Sequence, residues 1–270
     1  MDKATGIGLG GGMLCIFIAV GIQVSHEAGG YSVPAHGSAL YGALVSSEAV
    51  LLVVIGAVFA TMITQGMAGT KNVLQLSRKL MFHQEVPLEQ MIDEIIEFAA
   101  IARKEGQLAL DQKITDDTYP FLAKGLRMVA DNQDTELIKI NLEIEIQARK
   151  TRHANGKKYF TTMGAYAPAF GLMGTILAQV LLFTNMTTDV LAMGKKMGTA
   201  LICTLWGTLW ANMVCLPLAD KLAFRSGEES LLNNLILQGV LGISREESPL
   251  VLKAKLASFL THGKSQELTS

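Results

Sequence analysis

The chain has 270 residues, with 23 Lys+Arg against 24 Asp+Glu and a formal net charge of −1. Half of it is hydrophobic, only 17% is charged, and mean hydropathy is +0.33, whereas soluble domains carry about 25% charge. That composition excludes an ordinary soluble domain, and the missing basic excess argues against a nucleic-acid binder. Cys15, Cys203 and Cys215 stand in apolar surroundings and are too few for a disulfide framework or a zinc site.

In chain order, Ala4 to Val24 is free of charge over 21 residues, enough to cross a hydrocarbon core of roughly 30 Å. Lys3 ahead of an apolar run is also how a signal peptide begins. This run is longer than a signal's apolar region and lacks a small-x-small cleavage site, so it reads as an anchor. A loop at 25–39 leads to a second span, Leu40 to Met67, whose one acid, Glu48, lies near its outer edge. The 68–159 stretch follows, with Leu88, Met91, Ile92, Ile95 and Ala99 at helical spacing among Glu89, Asp93, Glu94 and Glu97. Phe121, Leu122, Leu126 and Val129 start a further helix, and Leu137 to Ile146 predicts another whose face is ambiguous. Phe160 to Met186 and Met197 to Ala219 are the third and fourth spans. A helical tail runs from Lys221 to Ile243, and Ser248-Pro249 opens a last short helix.

No strand alternation is visible. The fold class expected is an all-α integral membrane protein with four transmembrane helices. The domains are 1–67, 68–159, 160–219 and 220–270, the second being a large helical cytoplasmic domain and the last a helical tail. The basic residues set the topology: none at 25–39, 14 at 68–159 and six after Ala219. The positive-inside rule then places both termini and 68–159 in the cytoplasm of a multi-pass protein in a lipid membrane. Lys195 and Lys196 fall on the opposite side, a small misfit.

Spans three and four hold polar groups. Thr204, Thr208 and Asn212 are spaced i, i+4, i+8 and share one helix stripe. Such groups serve either as helix–helix glue or as an ion path. No Asp, Glu, Lys, Arg or His lies deep in any expected span, so a conducting protein of this kind needs a carboxylate from another chain. Pro168 within span three predicts a kink, and Pro217 at the inner end of span four is either a boundary or a hinge. Gly6-Ile-Gly8-Leu-Gly10-Gly11 matches a dinucleotide motif in letters, but no strand precedes it. The five histidines have no metal-ligand spacing, and neither a catalytic triad nor a P-loop is visible. No enzyme, cofactor or metal site is expected.

Four stretches resemble the MotA/PomA family of flagellar stator subunits. Ile101-Ala-Arg103-Lys-Glu-Gly106-Gln-Leu-Ala-Leu-Asp111 is similar to the family's ARREGLLALE segment, and Tyr166-Ala-Pro168-Ala-Phe-Gly171-Leu-Met-Gly174-Thr175 to its APAFGLIGT third span. Ala200 to Gly207, followed by Leu216-Pro217-Leu-Ala-Asp220-Lys221-Leu222, resembles its fourth span, and Gly239 to Ile243 with Ser248-Pro249 its tail. The resemblance implies a homopentamer around two copies of a single-span MotB/PomB-type partner, whose membrane aspartate supplies the missing carboxylate. Cations, sodium or protons, would cross the bacterial inner membrane there, and the motion would drive the rotor's switch protein.

On this resemblance Arg103 and Asp111 meet the rotor, and Pro168 and Pro217 couple ion flow to movement. Thr175, Thr204, Cys203 and Thr208 line the ion path. Thr175 stands where sodium-type members carry threonine, which favours sodium. Cys203 in place of a usual threonine, Gln179, and Lys195-Lys196 depart from the pattern. The competing readings are an ExbB/TolQ-like energiser of the outer membrane, disfavoured by the paired prolines and the Arg103–Asp111 segment, and a non-conducting scaffold.

Overall fold

The computed structural model describes residues 47–82, 86–184 and 190–260. The first expected span, Ala4 to Val24, and the loop 25–39 lie outside them. Every regular element among the described residues is helical: α1 (Ser47–Phe82), α2 (Leu88–Glu105), α3 (Ala109–Lys113), α4 (Pro120–Ala130), α5 (Thr135–Thr184), α6 (Val190–Leu209), a π-helical turn (Trp210–Cys215), α7 (Leu216–Ser244) and α8 (Pro249–Ala257). Among the described residues, three helical stretches are long and apolar enough to cross a membrane: Ala49–Met67 of α1, one within α5, and one within Ala200–Ser244.

Two of the expected boundaries are redrawn. The charged Leu137–Ile146 segment and the third span are one helix, α5, 50 residues long. Charge and apolarity change along it, but no proline comes before Pro168, and the single turn-prone pair Asn155-Gly156 does not end the helix. The fourth span likewise runs on through the π turn into α7 without ending at Pro217. In α1 the break falls near the expected end of the span. Gly66 has φ 71° and ψ 165°, a left-handed conformation that glycine adopts without a Cβ penalty.

The chain divides into two compact units. The first joins Met1–Phe82 to Ala154–Ala223, and the second joins His83–His153 to Phe224–Ser270. In the first unit the buried residues are mostly small or slender: Val53, Ala57, Ala167, Ala211, Cys215 and Ala219, with Phe160 and Met163.

The second unit buries bulk. Met91, Ile92, Ile95 and Phe98 of α2, Phe121, Leu122 and Leu126 of α4, Ile138 and Leu142 of α5, Leu235, Ile236 and Val240 of α7, and Leu252 and Leu256 of α8 form one core. The helical spacing read on α2 is therefore its core face. Helix ends here are locally satisfied: α4 closes with Asn132 at φ 56°, where the Gln133 N–H reaches the Met128 carbonyl at 3.2 Å. Ser248 caps α8, its hydroxyl oxygen accepting from the Val251 N–H at 3.4 Å, with Pro249 in the first turn.

Candidate functional site

In the first unit α5 and α6 cross through their smallest residues. A Cβ added at Gly171 would lie 2.8 Å from the Cys203 carbonyl oxygen and 3.2 Å from the Thr204 Cα. One added at Gly207 would lie 2.8 Å from the Ala167 carbonyl oxygen and 3.1 Å from the Cα atoms of Gly171 and Pro168. Backbone therefore touches backbone, as in membrane helices that associate without a hydrophobic driving force. The opposite face of α5 presents Leu172, Met173, Ile176, Leu177, Val180, Leu181 and Phe183 to the exterior.

This close crossing brings Thr175 and Thr204 together. Thr175 is buried, and its Oγ1 lies 3.1 Å from the Gly171 carbonyl oxygen and 3.0 Å from that of Ala200. It also shares a short hydrogen bond with Thr204 Oγ1. The two carbonyls also accept helical N–H bonds, so the spare lone pairs lie chiefly on the two threonine hydroxyl oxygens, a kind of donor that suits hard cations.

The stripe continues outward along the exposed face of α6. Thr208 donates to the Thr204 carbonyl at 3.0 Å, and in the π turn Asn212 Nδ2 donates to the Thr208 carbonyl at 2.9 Å. Thr208 and Asn212 thus bond within their own helical run and join no second helix through these bonds, while Thr175 and Thr204 bond between helices. Cys203 points elsewhere. It is buried, and its Sγ would stand 3.1 Å from a Cβ at Gly174, with Leu52 on the same spot. Lys195 and Lys196 fall within α6.

The two prolines sit at different kinds of place. Pro168 lies inside α5, at the crossing, where its ring removes one backbone donor. Pro217 stands just past the π turn, separated from it by Leu216. A widened turn ahead of a proline relieves the clash between the ring and the preceding carbonyl, so the helix continues. Sequence reasoning missed this turn, and Pro217 was the signal for it. Within the turn, the Trp210 indole Nε1 is buried and has no hydrogen-bond partner among the described residues.

Arg103 and Asp111 belong to the second unit. Arg103 is exposed in the last turn of α2 and Asp111 in the first turn of α3, on either side of Gly106 at φ 87°. They do not pair with each other. Asp111 instead faces Arg127 Nε at 3.9 Å, with both side chains about two-thirds exposed, a weakly held ion pair. Leu110, beside it, is fully buried and fixes the turn.

A second charge cluster escaped sequence reasoning because its members are far apart in the chain. Arg149 donates to Glu145 at 2.8 Å and to Glu229 at 3.1 Å, and its guanidinium lies 5.5 Å from the centre of the Phe121 ring. Burial pushes the Glu145 carboxyl up, but hydrogen bonds from Lys124 and Arg149 outweigh it and leave the pKa below the ordinary value. His153 Nδ1 is 3.6 Å from Glu229. Burial lowers the His153 pKa, Glu229 opposes this, and Arg152 and Arg149 add to it, so the net shift is downward. At neutral pH the His153–Glu229 contact is therefore a neutral imidazole near a carboxylate. Among the described residues no group of three or more His, Cys, Asp or Glu could hold a metal ion.

The family model described as the MotA/TolQ/ExbB proton channel family matches residues 114–233, which include Thr175, Thr204 and both prolines. Chemotaxis protein PomA of Vibrio alginolyticus is 34% identical over 265 residues, covering 98% of this chain and 97% of that protein. The chain belongs to the MotA/PomA family of motility proteins. Motility protein A of Borreliella burgdorferi is 33% identical over 223 residues, 83% of this chain and 85% of that protein. A chain of the flagellar MotAB stator complex from Bacillus subtilis superposes with a TM-score of 0.83 at 28% identity, each chain covered in full. TolQ and ExbB share the broader family model, but these full-length likenesses are to motility proteins. Arg103 and Asp111 fall outside residues 114–233 and inside the span of the MotA/PomA likeness.

Proposed function

We infer that the chain is the A-type subunit of a flagellar stator, which with a MotB-type partner couples cation flow across the bacterial inner membrane to torque on the rotor. The observation that carries this is the Thr175–Thr204 oxygen cluster at a glycine-lined helix crossing, in a chain similar to PomA over 98% of its length. The described apolar stretches contain no deep acid of their own, so the partner supplies the carboxylate. The Bacillus subtilis relative is a chain of a MotAB complex, which supports such a partner.

In this reading the protein has four spans with both termini in the cytoplasm, and five copies surround the partner. The cation is sodium, with the proton as the alternative, because the Thr175 hydroxyl adds an oxygen that alanine lacks. Cys203, turned towards Gly174, shapes the wall behind Thr204, and Thr208 extends the polar stripe. Pro168 sits where α5 touches Gly207, and Pro217 sits beside the π turn. Both are placed to turn a change at the oxygen cluster into helix movement. Arg103 and Asp111, exposed and loosely held, are free to meet charges on the rotor's switch protein.

The test is swimming in a stator-deleted host with the partner co-expressed, in buffers varying sodium at fixed pH and ionic strength. Speed should rise with sodium, and Thr175→Ala should remove most of that dependence. Swimming that ignores sodium but stops with a protonophore would keep the stator reading and replace the ion. Absence of rescue with any compatible partner would leave the non-conducting scaffold.

A further inference from the structure

From α6 through the π turn into α7, burial repeats at every fourth residue. Cys203, Gly207, Ala211, Cys215 and Ala219 are all buried, and the residues one step on, Thr204, Thr208, Asn212, Leu216 and Asp220, are all exposed. A straight α-helix cannot keep such a row on one side. At about 3.6 residues per turn, each step of four overshoots by about 40°, so from Thr204 to Asp220 the drift reaches about 160°. The π turn at Trp210–Cys215 supplies the correction. A single π turn amounts to one residue inserted in an α-helix, which turns everything after it back by about 100°. The packing against α5 agrees. A Cβ at Gly174 would meet Cys203 Sγ at 3.1 Å, one at Gly207 the Ala167 carbonyl oxygen at 2.8 Å, and one at Gly164 the Cys215 Cβ at 3.2 Å. The buried row thus stays on α5 throughout, and Asp220 stays on the flank that carries Thr204, about 24 Å further along.

We propose that Asp220 is the exit site of the cation path, a carboxylate that takes the cation at the inner end of the stripe and releases it to the cytoplasm. The proposal rests on the stator reading and gives the path that begins at Thr175 and Thr204 its far end. Between Asn212 and Asp220 the stripe offers only Leu216, so the cation must pass apolar surface before reaching water. A carboxylate beyond that surface lowers the energy of a cation arriving there. Among the described residues no ion pair neutralises Asp220. Copies arranged around one partner would repeat it as a ring of carboxylates, the device by which pores favour cations. Because Asp220 is exposed, water screens its charge, and weak holding suits release. The π turn then has a purpose beyond Pro217: without its extra residue the acid would stand on the wrong side of the helix.

The test measures swimming speed against the external driving cation, with the partner co-expressed in a stator-deleted host and the complex quantified in the membrane. Asp220→Asn should lower maximum speed and the half-saturating cation concentration together, each at least about threefold, because a slower exit lets the path fill at lower concentration. Asp220→Glu, which keeps the charge, should hold more than half of wild-type speed. An unchanged maximum overturns the proposal. So does a lower maximum at unchanged half-saturation, which means fewer working complexes. An equal loss in Asp220→Glu overturns it too, since shape rather than charge would then matter. Cation uptake by the same cells separates the exit site from the reading beneath it. Wild-type uptake without swimming sinks the stator reading, and the two variants are then compared on uptake. No uptake of sodium or protons sinks both, whereas wild-type swimming with an indifferent Asp220→Asn sinks the exit site alone.

Discussion

The two units are built inside out relative to each other. Among the described residues, all twelve of the largest fully buried side chains, from Phe121 and Met91 to Ile236 and Ile243, belong to the second unit. The first unit buries Ala57, Ala167, Ala211 and Ala219 and turns Leu172, Ile176, Leu177 and Phe183 outward. Water accounts for the second pattern, because large apolar surface is worth most when removed from it. In lipid that gain vanishes, and close packing of small residues holds helices together instead. The contrast also explains where function sits. In the first unit Thr61 satisfies its hydroxyl on its own helix at the Ala57 carbonyl, whereas Thr175 and Thr204 bond across two helices where the backbones come close.

Large-to-small changes should therefore hurt the second unit most. Phe121 is 1% exposed and carries the Arg149 guanidinium on its ring. Phe121→Ala should cost about 3–5 kcal/mol, read as faster hydrogen exchange in α4, and a loss under about 1 kcal/mol would break the contrast. Small-to-large changes should hurt the first unit. Gly207→Ala meets backbone atoms of Ala167, Gly171 and Pro168, so the helices must part at a cost of about 1–3 kcal/mol. The Thr175–Thr204 bond should open with them, abolishing sodium-driven swimming in protein that still inserts, and wild-type swimming would refute the crossing.

Charge sharpens the comparison next. His153 has a lowered pKa when folded, so between that value and the ordinary 6.5 the unfolded chain binds the proton and the folded one does not. Stability must therefore fall as pH drops through that window. Glu145, also lowered from its ordinary 4.5, contributes stability above that range and loses it as pH falls through the folded value. Both act in one direction. Once the intrinsic pH dependence of exchange is divided out, amide protection in the second unit should fall from pH 7 to pH 5, and His153→Gln should flatten that slope. A slope unchanged by the variant would show that His153 is not its source. The smallest effect concerns Gly227, in α7, around whose position for a Cβ there is open space. Gly227→Ala should stabilise the helix by about 1 kcal/mol, and a destabilised variant would mean that the position is covered.

Much of this architecture was legible residue by residue. The α2 core face, the start of α8 at Ser248-Pro249 and three apolar stretches follow from spacing and composition, which depend on near neighbours alone. Thr175 and Thr204 stood out as polar groups in apolar runs. Their hydrogen bond did not, because residues 29 positions apart meet only through the crossing of α5 and α6. The Arg149 cluster was hidden for the same reason: Glu229 lies 80 residues away in the chain.

The sequence by itself determined the helical class, the apolar stretches, the small residues that permit a close crossing, and the charges at Arg103 and Asp111. Tertiary structure decided which helix faces meet. It set Thr204 against Thr175 while turning Cys203, one residue earlier, into the wall by Gly174. It gave Asp111 to Arg127 rather than to Arg103. Hydropathy and spacing are properties of one segment, whereas facing is a property of two, and only packing fixes the rotation of one helix against another.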